Sequence, residues 1–196
     1  MRVFIGVFIF CLPCMALDKL VIIGDSLTEG YGVDKEFSYP TVLQGKMQQA
    51  KLNYQVINGG VSGSTTASGL SRLKWFLKAK PKIVMIALGA NDGLRGIDLK
   101  MSQKNLQQMI EKCQQEKIKV VLAGMHLPPN YGKEYTTKFR AMFMELKRQN
   151  QLTFIPFLLE GVAGKPDLNI ADGIHPNEKG YVIVAENVFK HIKELL

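Results

Sequence analysis

A chain of 196 residues that is 46% hydrophobic and 21% charged, with 18 glycines, has the composition of one globular domain with a substantial core, which excludes disordered, fibrous and low-complexity classes. Its formal charge of +8 comes from scattered lysines and arginines, not from a dense basic run with interleaved aromatics, so no nucleic-acid partner is expected. Weak contact with an anionic membrane lipid surface is compatible with that charge.

At the N-terminus, Arg2 is followed by an unbroken apolar run over residues 3–12 and then by Pro13, Cys14, Met15 and Ala16. A basic start, an apolar stretch too short to span a bilayer and small residues two apart predict a secretory signal peptide over residues 1–16, cleaved after Ala16. The alternatives are an uncleaved anchor and, disfavoured by Pro13, a lipoprotein signal with Cys14 as the lipidated residue. Loss of this leader removes Arg2 and no acid, taking the formal charge from +8 to +7. Residues 17–196 then form a single domain, expected in the periplasm or secreted, with Cys113 as its lone cysteine and no intramolecular disulfide. Met109 and Ile110 beside Cys113 make it a buried structural thiol.

Five short apolar runs, 19–23, 54–57, 83–88, 120–123 and 152–155, predict buried strands. Leu70, Leu73 and Leu77 mark the apolar face of one intervening helix, and Leu106, Met109, Ile110 and Cys113 that of another. A last helix is expected over about residues 177–192. This alternation predicts an α/β fold with a mainly parallel, doubly wound, five-stranded sheet covered by helices on both faces. In such folds ligands bind beyond the carboxyl ends of the strands, so functional residues belong just after them. The stretch 156–174 is long for a connection inside a compact domain and is itself a candidate for function.

Gly24-Asp25-Ser26-Leu27-Thr28 follows the first strand, and Asp172-Gly173-Ile174-His175 precedes the last helix. A serine hydroxyl needs a base within reach, and a histidine serves best when a carboxylate fixes its tautomer. Asp172 can accept from one ring nitrogen of His175 while the other faces Ser26. Alone, the serine reads as a helix cap and the Asp-x-x-His turn as solvent-exposed. Two further strand ends, Val61-Ser62-Gly63-Ser64 and Gly89-Ala90-Asn91-Asp92, would place four polar motifs on one rim. Acyl transfer needs donors for an oxyanion, and the candidates are the backbone N–H of Ser26, that of Gly63 and the side-chain amide of Asn91. Gly60 is an alternative donor to Gly63. Asp25 and Asp92 are expected to brace loops, His126 to be a packed or rim histidine and His191 to be solvated.

These blocks, in this order, resemble the SGNH (GDSL) hydrolases across nearly the whole chain beyond the leader. The segments Gly89-Ala90-Asn91-Asp92-Gly93-Leu94-Arg95-Gly96, Leu127-Pro128-Pro129-Asn130-Tyr131-Gly132 and Asp172-Gly173-Ile174-His175-Pro176-Asn177 are similar to the periplasmic bacterial arylesterase, thioesterase I and lysophospholipase branch. The resemblance implies a flavodoxin-like three-layer α/β/α fold, a Ser26-Asp172-His175 triad, an oxyanion hole from Ser26, Gly63 and Asn91, no metal and no cofactor. It also implies small acyl esters or thioesters as substrates, and the protein is expected to be a monomer. An alternative with the same residues is a carbohydrate or peptidoglycan O-deacetylase, which the apolar Phe157, Leu158, Leu159 and Val162 of the long stretch argue against. A phosphate- or flavin-binding loop at residues 24–32 lacks the glycine spacing of a nucleotide loop and leaves Asp172 and His175 unexplained.

Overall fold

The computed structural model describes residues 17–196, so the leader expected over residues 1–16 lies outside the described residues. Its strands are β1 (Asp18–Gly24), β2 (Tyr54–Gly60), β3 (Ile83–Ala87), β4 (Lys119–Ala123) and β5 (Thr153–Ile155). The helices are α1 (Ser26–Glu29), α2 (Tyr39–Gln49), α3 (Gly69–Phe76), α4 (Ala90–Leu94), α5 (Leu99–Gln115), α6 (Lys133–Asn150) and α7 (Glu178–Ile192). The sheet order is β2-β1-β3-β4-β5 and every pairing is parallel. Leu20 to Ile23 of β1 and Ile83 to Ile86 of β3 are fully buried, as continuous apolar runs must be in a sheet covered on both faces.

Helices α2 and α7 pack together on one side of the sheet, while α3, α5 and α6 form a contiguous row on the other. The apolar faces account for this: Leu106, Met109, Ile110 and Cys113 of α5 and Tyr181, Val184, Ala185, Val188 and Ile192 of α7 are buried at helical spacing. Asn177 caps α7 by accepting the Gly180 N–H at 3.0 Å, so the helix proper begins at Glu178, one residue after the expected start.

The strand ends differ from the sequence expectation by one to three residues, and two of the differences have a clear cause. β5 is shorter, because Leu152 still donates to Lys147 and completes the turn that ends α6. β2 is longer, running through Asn58-Gly59-Gly60 beyond the expected end at residue 57. The glycines are strand residues in close approach: a Cβ at Gly60 would overlap the backbone of Glu29.

Register is what assembles the rim. Gly24 lies level with Gly60 on one side and Ala87 on the other, so β1, β2 and β3 end side by side. The order reverses about β1, the kind of switch point where doubly wound sheets open a crevice.

Candidate active site

Ser26 is the first residue of α1, immediately past β1. Asp25 caps this helix by accepting the Leu27 N–H at 3.1 Å, and Gly30 ends it in the left-handed conformation. The chain thus turns sharply at the strand end and holds the hydroxyl over the rim. Ser26 Oγ lies 2.8 Å from His175 Nε2, and His175 Nδ1 lies 2.7 Å from Asp172 Oδ2. The other carboxylate oxygen of Asp172 accepts the N–H groups of Ile174 and His175, each at 3.0 Å, which folds this turn around the acid. Burial pushes the Asp172 carboxyl up, but those N–H groups and the His175 ring outweigh it and hold the group below the ordinary range. An ionised partner only accepts, so Nδ1 carries the proton and Nε2 faces the serine as acceptor.

The loop after β2 decides which backbone N–H groups stay free. Val61 N–H donates to Gly24 O, Ser64 N–H to Val61 O, Gly60 N–H to Asn58 Oδ1 and Ser62 N–H to Glu29 Oε2. Gly63 N–H and Ser26 N–H have no acceptor among the described residues, and both residues line one cavity. Gly60, the alternative donor, is therefore committed elsewhere. Gly63 has φ +73, a conformation that other L-residues rarely adopt. Asn91, on α4, also lines the cavity; its Nδ2 donates to Ser64 O at 3.0 Å, which orients the amide and leaves it a second hydrogen.

Behind Asn91 lies a buried polar cluster. Asp92 accepts from Thr66 N (2.9 Å), Thr66 Oγ1 (2.6 Å) and Ser102 Oγ (2.9 Å), while Asn105 donates to Thr66. Asp92 therefore ties α4 to the segment before α3 and to α5, the bracing role expected for it. Asp25 braces too, but its burial pushes the carboxyl up from 3.8 to about 6 against the opposing influence of Leu27 N–H, His175 and Arg72.

The cavity has a volume of about 790 Å³ and is mostly apolar, with walls that include Leu94, Met125, Leu127, Phe157, Leu159 and Ile174. Of the apolar residues singled out in the long stretch, Phe157 and Leu159 face it, whereas Leu158 and Val162 are packed in the core. His126 is a rim residue stacked on Phe157, ring centroids 4.2 Å apart; partial burial first, then Arg140, push its imidazole down. His191 departs from expectation: it is half-buried and donates from Nδ1 to Asn187 O at 2.8 Å. Arg95 is exposed, with its guanidinium beside Gly63.

Sequence reasoning missed two supports. Arg72 donates to Gly24 O at 3.0 Å and to Gly59 O, spanning the ends of β1 and β2. Its signal was a charged residue next to Leu73 on the inward face of α3. Glu29 carries no such signal, since its partner Ser62 is remote in sequence.

Residues 22–183 match the model of the GDSL-like lipase/acylhydrolase family. The chain belongs to that family. Esterase TesA of Pseudomonas aeruginosa is 39% identical over 182 residues, covering 92% of this chain and 90% of that protein. A crystal structure of TesA superposes with a TM-score of 0.88 at 39% identity, covering 91% of this chain and 100% of that one. An arylesterase of Vibrio mimicus is 39% identical over 95% of this chain and 94% of its own. Thioesterase 1/protease 1/lysophospholipase L1 of Escherichia coli K12 is 34% identical over 92% and 86%. This GDSL-family chain is a carboxylic ester hydrolase with the three-layer fold expected from its sequence.

Proposed function

We propose that this hydrolase cleaves acyl esters and thioesters through Ser26, with His175 as general base and Asp172 as the group that orients it. The observation that carries the proposal is the unbroken Asp172–His175–Ser26 hydrogen-bonded chain at 2.7 and 2.8 Å, beside backbone N–H groups left without acceptors. His175 Nε2 takes the hydroxyl proton as Ser26 Oγ bonds to the acyl carbon. The carbonyl oxygen becomes an oxyanion held by Ser26 N–H, Gly63 N–H and the Asn91 amide. His175 then protonates the departing alcohol or thiol, leaving an acyl-enzyme. Water attacks this ester, giving its proton to His175, and the collapse of the second tetrahedral intermediate releases the acid and restores Ser26.

The mostly apolar cavity favours a fatty acyl group over an acetyl group alone, and the relatives named above point to aryl esters, acyl thioesters and lysophospholipids as substrates to assay. The basic charge suits transient contact with anionic lipid, and we take the enzyme to act as a monomer. The leader-like residues 1–16 support a periplasmic or secreted location; a mature N-terminus at Leu17 in extracytoplasmic protein is the expected finding.

Fluorophosphonate treatment followed by peptide mapping is expected to label Ser26 in wild type and to leave Ser26→Ala unlabelled and inactive. A Ser26→Ala enzyme that retains turnover on p-nitrophenyl esters refutes the assignment. A chain-length series on the same esters separates the substrate readings, since activity confined to acetate would favour the deacetylase.

A further inference from the structure

Glu29 ends α1 three residues after Ser26, and its Oε2 accepts both the N–H of Ser62, at 2.8 Å, and the Ser62 hydroxyl. Ser62 immediately precedes Gly63. One carboxylate oxygen therefore closes a short circuit that begins at the Ser26 N–H and ends at the Gly63 N–H. Other ties on this loop are single: Val61 N–H reaches Gly24 O at 3.2 Å, and the Asn91 amide reaches Ser64 O at 3.0 Å. Among the described residues, Glu29 is the only side chain of α1 that bonds to residues 61–64. The need for such a tie follows from the loop itself. Its central glycine has the widest backbone freedom of any residue, and an oxyanion donor acts well only when it is already in place.

We propose that Glu29 is a positioning residue: its two-pronged hold on Ser62 fixes the Gly63 N–H relative to the Ser26 N–H, so that the pair meets the oxyanion without rearranging. This deepens the reading of the site given above and rests on it. The tie also consumes the Ser62 N–H, which keeps a competing donor off the oxyanion. A geometric role is separable from a charge role, because glutamine retains an oxygen that can accept the Ser62 N–H and hydroxyl while carrying no charge.

The test compares wild type with Glu29→Ala, Glu29→Gln and Ser62→Ala on one p-nitrophenyl ester, together with the inhibition constant of an alkylboronic acid, whose serine adduct is tetrahedral. Loss of donor placement, as distinct from loss of a donor, is expected to lower kcat of Glu29→Ala by about 10-fold, with KM within about twofold. Boronate inhibition should weaken by a similar factor, and Glu29→Gln should recover to within about threefold of wild type. Ser62→Ala keeps the N–H bond and loses only the hydroxyl, so its kcat should fall by about threefold; it serves as the informative variant where Glu29→Ala folds poorly. The proposal is overturned when kcat of Glu29→Ala and Ser62→Ala stays within twofold of wild type. It is equally overturned by a kcat loss that leaves boronate affinity unchanged, or one that Glu29→Gln does not recover. Each of these results is distinct from failure of the Ser26 assignment, which Ser26→Ala reports by itself.

Discussion

Replacing Asp25 by asparagine keeps the oxygen that caps α1 and removes a titrating group from a site that is 2% exposed. Burial raises the folded carboxyl from its ordinary 3.8 to about 6, so between these values the folded chain holds a proton that the unfolded chain has released. Stability therefore falls as pH rises through that window, is at its best below it and levels off above it. The displacement corresponds to roughly 3 kcal/mol at about 1.36 kcal/mol per pH decade. Asparagine carries no such dependence, so the stability of Asp25→Asn relative to wild type should climb by about 2 kcal/mol from pH 4 to pH 7, the remainder of the effect lying below pH 4. Urea unfolding followed by circular dichroism, with both proteins measured at each pH, gives this difference directly. A stability difference that stays constant from pH 4 to pH 7 would refute the reasoning, since it would mean that the carboxyl ionises equally well in the two states.

Asn91→Ala removes one proposed oxyanion donor and should lower kcat by about 100- to 1000-fold in steady-state assays, whereas kcat near wild type would reject that role for the amide. Phe157→Ala opens the cavity wall where the ring stacks on His126. Its p-nitrophenyl ester profile should move toward longer acyl chains, with about 10-fold lower kcat/KM on the shortest, and an unchanged profile would place Phe157 outside the acyl groove. Cys113 is fully buried, and burial pushes its thiol up to about 12. Ellman's reagent should therefore modify it only as fast as the protein opens, and immediate stoichiometric reaction of folded protein would contradict that burial.

The strands were legible because three of them, β1, β3 and β4, are apolar runs with almost no polar interruption, a pattern that parallel pairing between two helical layers requires. The serine, glycine, asparagine and His-Asp motifs were legible because each directly follows a strand or precedes the last helix, where the architecture puts its crevice. Glu29, Arg72 and the raised Asp25 were not. Each depends on a partner fixed only by register: Ser62 meets Glu29 because β2 runs three residues further than its apolar part, and Arg72 meets two carbonyls because β1 and β2 end level. Local sequence carries the identity of such residues but not their neighbours. The choice between Gly60 and Gly63 was likewise a question of which N–H another group had already taken, and Asn58 answers it for Gly60.

The distribution of buried polar side chains argues that placement, more than stability, governs this part of the fold. Among the described residues, Asp25, Thr28, Thr66, Asp92, Ser102, Asn169 and Ser38 are the buried polar or charged ones. All but Ser38 lie in or against the segments that carry Ser26, Gly63, Asn91 and the cavity wall, and the interiors of β1, β3 and β4 contain none. Apolar contacts are non-directional and tolerate small slippage, so a wholly apolar floor could hold these loops together without fixing their atoms. Hydrogen bonds have preferred lengths and angles, and the three that Asp92 accepts from Thr66 and Ser102 restrict how these segments can sit. Acyl transfer by the proposed route needs donors placed to within about 0.5 Å. The cost is visible in Asp25, whose carboxyl is driven toward its neutral form beside the nucleophile while the adjoining run Leu20 to Ile23 of β1 is wholly apolar. With the exception of Ser38, polar burial here gathers around the atoms to which the proposed reaction assigns a position, and the interiors of β1, β3 and β4 that supply the cohesion are left free of it.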